Sequence, residues 1–259
     1  MKHKQNGFGH LWLFGLIIVL AVGVAGYEVW IHRNGPPLPH DSSLPDISYL
    51  KTHKSDRFLV DMDVVQGGNP YKGVRSIAPH TGGHAQFGDG YKTWPKGGTA
   101  PSNYPPIYAV ADGVVNGVDY NFKVGDNTKY DISIEIAQGY NFDYSIEPFV
   151  SKPNGFYKPF VLVHNGQKVK KGQIIGYMYL TQAGSNGSHI HFDIHHNGQF
   201  MAPAIFTPDI VQAFHDHWGD FGYDGNGPNS KGVPIPACMG YKLSAAENPF
   251  GTGAVDCLN

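Results

Sequence analysis

Short runs of β-branched and aromatic residues recur along the chain at 58–65, 107–110, 114–120, 131–137, 159–164, 173–180 and 189–194, and Gly, Pro or Asn punctuates the gaps. Runs of this length and composition predict strands. Many of them at regular spacing predict a compact antiparallel β-sheet or barrel-sandwich, an all-β class, and not alternating βαβ units. Apolar residues return at helical spacing at Ile210, Val211, Phe214 and Trp218, which predicts a helix over 208–218. Beyond Gly219 the chain is rich in Gly and Pro and has no period. No internal repeat or low-complexity tract occurs.

The N-terminus has a different pattern. Lys2 and Lys4 precede an apolar run over 11–27, and no charge follows until Glu28. Counted from Phe8 the run reaches ~20 residues, the length needed to span a bilayer. Lysines before the run and few positive charges after it favour a cytoplasmic N-terminus. The expected organisation is a cytoplasmic stretch over 1–7, a transmembrane signal-anchor over 8–27 and a Pro-rich linker over 28–47. An exported domain follows over 48–207, then a C-terminal helix and extension over 208–259. Such a protein is single-pass in the cell membrane, with its domain periplasmic or extracellular. The small residues Ala21 to Gly23 leave a cleaved signal peptide as the alternative.

Composition narrows the function classes. Charged residues make up 15% of the chain, against roughly a quarter in an average soluble protein. Lys+Arg number 19 against Asp+Glu 21, so there is no basic excess to displace counterions, and a nucleic-acid partner is not expected. The two cysteines, Cys238 and Cys257, lack the spacing of a thiolate metal site. In an exported segment they are expected to pair as a disulfide; two buried thiols are the alternative.

The 14 histidines carry the candidate chemistry. In His189-Ile-His191-Phe-Asp193-Ile194, strand alternation points Ile190, Phe192 and Ile194 to the core and His189 and His191 to the other face. Two imidazoles about 7 Å apart along a strand fit one ligand plus one neighbouring acid/base better than two ligands of one ion. His195 lies roughly 13 Å from His191 on that face, too far for the same ion. Upstream, His84 and Asp89 flank a glycine-containing turn, and with His191 they make a three-ligand zinc set that keeps a position for water. His80, four residues before His84, competes with it as a ligand. His215-Asp-His217 is set aside because positions i and i+2 of a helix do not share a face.

Four motifs in order resemble the lysostaphin/LytM-type zinc metalloendopeptidases, which hydrolyse peptide cross-links of bacterial peptidoglycan. They are His84…Asp89, Tyr108-Ala-Val-Ala-Asp-Gly-Val-Val115, Gly166-Gln-Lys-Val-Lys-Lys-Gly-Gln-Ile-Ile-Gly176 and Gly187-Ser-His-Ile-His-Phe-Asp-Ile194. Together they span roughly residues 70–207. The resemblance implies Zn²⁺ bound by His84, Asp89 and His191, a catalytic role for His189, a metal-holding groove, and a peptidoglycan peptide as partner. Two features depart from the family. Four residues separate His84 from Asp89 where the family has three. The segment over 142–148 has no histidine where the family carries a second catalytic one on a Tyr-x-His stretch; Glu147 is a candidate substitute there.

The leading expectation is a membrane-anchored zinc endopeptidase acting on cell-wall peptide. The alternative is a non-catalytic domain of the same fold that binds cell-wall glycan or partner proteins. Alkaline extraction of membranes tests the anchor: the full-length chain is expected to stay in the membrane pellet. Release of a shortened protein identifies a cleaved signal peptide instead.

Overall fold

In the computed structural model the residues described are 43–69, 83–87, 94–181, 187–197 and 199–217, all within one unit, Asp41–Asn259. The segment 8–27, most of the linker, His80, Asp89, both cysteines and the extension beyond His217 lie outside them. Among the described residues no helix is long and apolar enough to cross a membrane.

Strict alternation builds the centre of the fold. Tyr130, Ile132, Ile134 and Ile136 are buried on one strand and Phe142, Tyr144 and Ile146 on the next, with polar residues between them. These are β5 (Asn127–Ala137) and β6 (Tyr140–Val150), joined by a tight turn at Gly139, whose φ of 75° suits glycine. With β4 (Gly113–Val124) they form a long antiparallel meander. The remaining strands are β1 (Gly67–Asn69), β2 (Gly83–Gln86), β3 (Pro106–Tyr108), β7 (Lys168–Val169), β8 (Ile174–Tyr177), β9 (His189–His196) and β10 (Gln199–Met201). One eight-stranded antiparallel sheet, mostly β and curled as a half-barrel, runs β1-β2-β9-β6-β5-β4-β7, with β10 on β9; β3 and β8 form a separate pair. The all-β, antiparallel expectation therefore holds.

The helices are short. α1 (Ile47–Thr52) starts at Asp46, whose carboxylate accepts from the Ser48 amide. α2 (Pro208–His215) begins on a proline and buries Val211 and Phe214, the latter against Phe58 and Phe192. It matches the expected C-terminal helix over 208–215, with a turn following at 216–217.

Three expectations change. Residues 58–65 are not a strand: Phe58, Leu59 and Val60 are buried in succession, and a 3-10 turn follows at Met62–Val64. The run is apolar because it threads the core, not because it pairs. Residues 159–164 form a 3-10 turn, Lys158–Phe160, and a single bridge from Val161 to Gly176, because Pro159 has no N–H for a ladder. The sheet also holds β6, which the apolar runs do not predict. Its outward positions Asn141, Asp143, Ser145 and Glu147 dilute the apolar signal.

Asp112-Gly113 turns the chain from one sheet to the other instead of closing a hairpin. Glycine is required at 113 by close approach: a Cβ there would lie 2.5 Å from the Glu135 carbonyl oxygen and 2.6 Å from Ile134 Cγ2. Lys168, Lys170 and Lys171, after Gly166, are exposed. Lys170 pairs with Asp112 at 2.8 Å, and that contact holds the Asp112 carboxyl below its ordinary range. Gly113→Ala should destabilise by about 1–3 kcal/mol through overpacking. Gly117→Ala, where a Cβ meets Ser133 Cβ at 3.5 Å, should be neutral or slightly stabilising. Urea titration of both variants checks this, and equal effects would sink the close-approach argument.

Candidate metal centre

β9 lies between β2 and β6, and its register fixes the site. His84 on β2 stands opposite His191, and Gln86 opposite His189. On the other side Ser145 stands opposite His191 and Glu147 opposite His189. Side chains one residue out of step with these form the core: Ala85, Ile190 and Ile146 in one row, Phe192, Tyr144 and Ile132 in the next. Gly83 supports this packing, since a Cβ there would lie 2.8 Å from Phe192 Cζ. Tyr144, in the same layer, accepts the Val110 amide at 2.9 Å, and burial pushes its phenol well up.

Three imidazoles converge on the opposite face. Ring centroids are 3.9 Å apart for His84 and His191, 4.6 Å for His189 and His191, and 5.0 Å for His84 and His189. One ligand nitrogen from each lies within 4.8 Å of the others. All three are buried, with exposures of 9%, 9% and 4% for His84, His191 and His189, so they are not surface histidines on an amphipathic strand. The strand spacing of about 7 Å overstates the distance between the His189 and His191 rings, which lean together into a stack. The cluster has the nitrogen donors and the spread that suit a zinc-type cation.

His189 is the most constrained of the three. Its Nδ1 is hydrogen-bonded to the Gly187 carbonyl, and its Nε2 lies 3.7 Å from Glu147 Oε2. The Phe149 ring stands 5.2 Å from it. Phe149 has a φ of 56°, in the left-handed region that non-glycine residues rarely occupy, and is 44% exposed. Beside it, Val124, Asn127, Thr128, Lys129, Glu147 and Phe149 line a hollow of about 20 Å³, room for one water.

The structure thus brings together His84, His189 and His191 of the expected residues, while Asp89 and His80 lie outside the described part. His195 stays apart, its ring 5.2 Å from Phe200. His164 is exposed on a turn, bonded to the Asn165 carbonyl. His215 is buried on α2, and burial lowers its pKa. The sequence reading missed Lys129, a buried lysine whose ammonium lies 3.6 Å from Glu147. Its signal was available: Lys129 and Asp131 flank Tyr130, so alternation puts them on the histidine face.

Residues 98–203 match the model of Peptidase family M23, about two-fifths of the chain. This segment is thus similar to peptidase family M23, in agreement with the resemblance carried by the sequence motifs. It contains His189, His191, Glu147 and Lys129; His84 lies upstream of it. Among curated proteins none matches significantly. A zinc-containing peptidase from Vibrio cholerae is similar at 22% identity, over 57% of this chain and 38% of its own, with a TM-score of 0.35. The catalytic domain of the prophage-encoded M23 protein EnpA from Enterococcus faecalis is similar at 20% identity, over 51% and 84%, with a TM-score of 0.32. Lysostaphin is similar at 18% identity, over 69% and 57%, with a TM-score of 0.31. The chain thus spans well under half of the Vibrio peptidase's length.

Proposed function

We propose that the protein is a membrane-anchored zinc endopeptidase that hydrolyses peptide cross-links of bacterial peptidoglycan from the outer side of the cell membrane. The observation that carries this reading is the convergence of His84 with His189 and His191, the latter two within the segment that matches peptidase family M23. In this reading His84, Asp89 and His191 hold Zn²⁺, and His189 acts beside it. A zinc ion supplies a Lewis acid that polarises a scissile carbonyl and acidifies water.

The chain's own residues do the rest. The sheet register holds His84 and His191 as cross-strand neighbours with no loop intervening, so little side-chain freedom is lost on taking up a cation. His189, bonded through Nδ1 to the Gly187 carbonyl and with Nε2 3.7 Å from Glu147 Oε2, stands beside the cluster, where it can pass a proton to a leaving amine or hold a developing oxyanion. The anchor and the Pro-rich linker would keep the domain near the wall.

Purified full-length protein should carry one zinc per chain and release new amine termini from peptidoglycan. His191→Ala and Asp89→Ala should purify with little zinc. His189→Ala should keep near-stoichiometric zinc and lose about 10²–10⁴-fold in rate. If His189→Ala loses the zinc and Asp89→Ala keeps it, the three histidines are the ligands and the role given to His189 is wrong. A zinc-loaded wild type that leaves peptidoglycan intact would instead favour the non-catalytic, glycan- or protein-binding reading.

A further inference from the structure

Lys129 is placed where a lysine is costly. Its side chain is 6% exposed, and taking an ammonium out of water is unfavourable unless fixed partners surround it. Here they do. Lys129 donates to Ser145 Oγ and lies 3.4 Å from Asp131 Oδ1 and 3.6 Å from Glu147 Oε1. Its ammonium also stands over the Phe122 ring, 4.5 Å from the centroid, an added attraction for a cation. Ser145 donates onward to Asp131 at 2.7 Å, so the hydroxyl is oriented from both sides.

Both ends of this network meet the histidine cluster across the strand ladder. Ser145 is the cross-strand neighbour of His191, and Glu147 that of His189. Glu147 divides its carboxylate: Oε1 faces Lys129 and Oε2 faces His189 Nε2 at 3.7 Å. Without the ammonium, the Asp131 and Glu147 carboxylates would lose the cation they share. We propose that Lys129 is a positioning residue of the candidate centre: it fixes the Glu147 carboxylate, and Glu147 in turn fixes the ring of His189. This deepens the peptidase reading and rests on it only for its effect on activity.

The test uses the full chain with ¹⁵N-labelled histidine, metal-free, with His189 assigned by its loss in His189→Gln. Lys129→Met and Glu147→Gln should each move the His189 ring resonances, and the double variant should move them no further than Glu147→Gln alone. Lys129→Arg, which keeps the charge, should move them less. The His196 ring, stacked on Tyr140 and bonded to the Gly139 carbonyl, should not shift. In zinc-loaded protein, Lys129→Met should keep its zinc and its KM within about twofold while kcat falls roughly 10–100-fold, the size of effect that supporting residues have on metal sites.

An ion pair that serves stability alone would leave the His189 resonances in place in Lys129→Met and Glu147→Gln, and that result overturns the proposal. Shifts that add in the double variant overturn it too, since Lys129 would then not act through Glu147. Should Lys129→Met fail to fold, Lys129→Arg and Glu147→Gln decide by the same resonances. A wild type inactive on peptidoglycan whose His189 ring still moves in these variants would remove the peptidase reading and leave the positioning role standing.

Discussion

The register of β9 between β2 and β6 is the constraint on which the site depends. Ile190, Phe192 and Ile194 are fully buried on one face of that strand. Burying each stabilises by about 1.5–3 kcal/mol. A slip of one residue would turn all three to the histidine face and the histidines into the core. The histidine face cannot set the register by itself, because imidazoles taken out of water cost free energy unless partnered. The apolar face therefore decides where His189 and His191 stand, and the polar face accepts that placement. Gly83 belongs to the same constraint, since the Phe192 ring occupies the space a side chain there would need.

That register extends well beyond the histidines. From β2 it carries across β9, β6 and β5 to β4, so His84, His191, Ser145, Asp131 and Asp119 stand in one cross-strand row. The neighbouring row holds Gln86, His189 and Glu147, and Lys129 opposite Phe122 continues it. Because neighbouring strands lie about 4.8 Å apart, groups distant in sequence meet without any loop to hold them. A site assembled this way takes its geometry from the most rigid part of the fold.

Legibility in the sequence follows the same physics. Alternation in His189–Ile194 made both the core residues and the histidine face readable, since period two is a local property. The order of the four motifs made the family readable, and the match over residues 98–203 agrees with it. Local pattern could not distinguish a buried apolar thread from a strand at 58–65, because pairing depends on partners elsewhere. It also missed β6, where Asn141, Asp143, Ser145 and Glu147 on the histidine face mask the apolar alternation. The spacing of His189 and His191 misled for a further reason: rise along a strand measures backbone, whereas the rings at its ends can lean together.

Lys129 marks the sharper limit. Its burial makes sense only after β5, β6 and β9 are aligned, because its partners Asp131, Ser145 and Glu147 come from two strands and the imidazole they support comes from a third. In sequence it is one lysine between a threonine and a tyrosine. Across the sheet it is the cation that lets two carboxylates stand close together beneath a histidine cluster. A pair of carboxylates alone would repel, and each would turn toward water or toward any cation held by the histidines. With an ammonium between them they become fixed acceptors, one of which faces His189. The cost of burying Lys129 is then a consequence of needing an anion that is immobile, close to the centre and not itself a ligand.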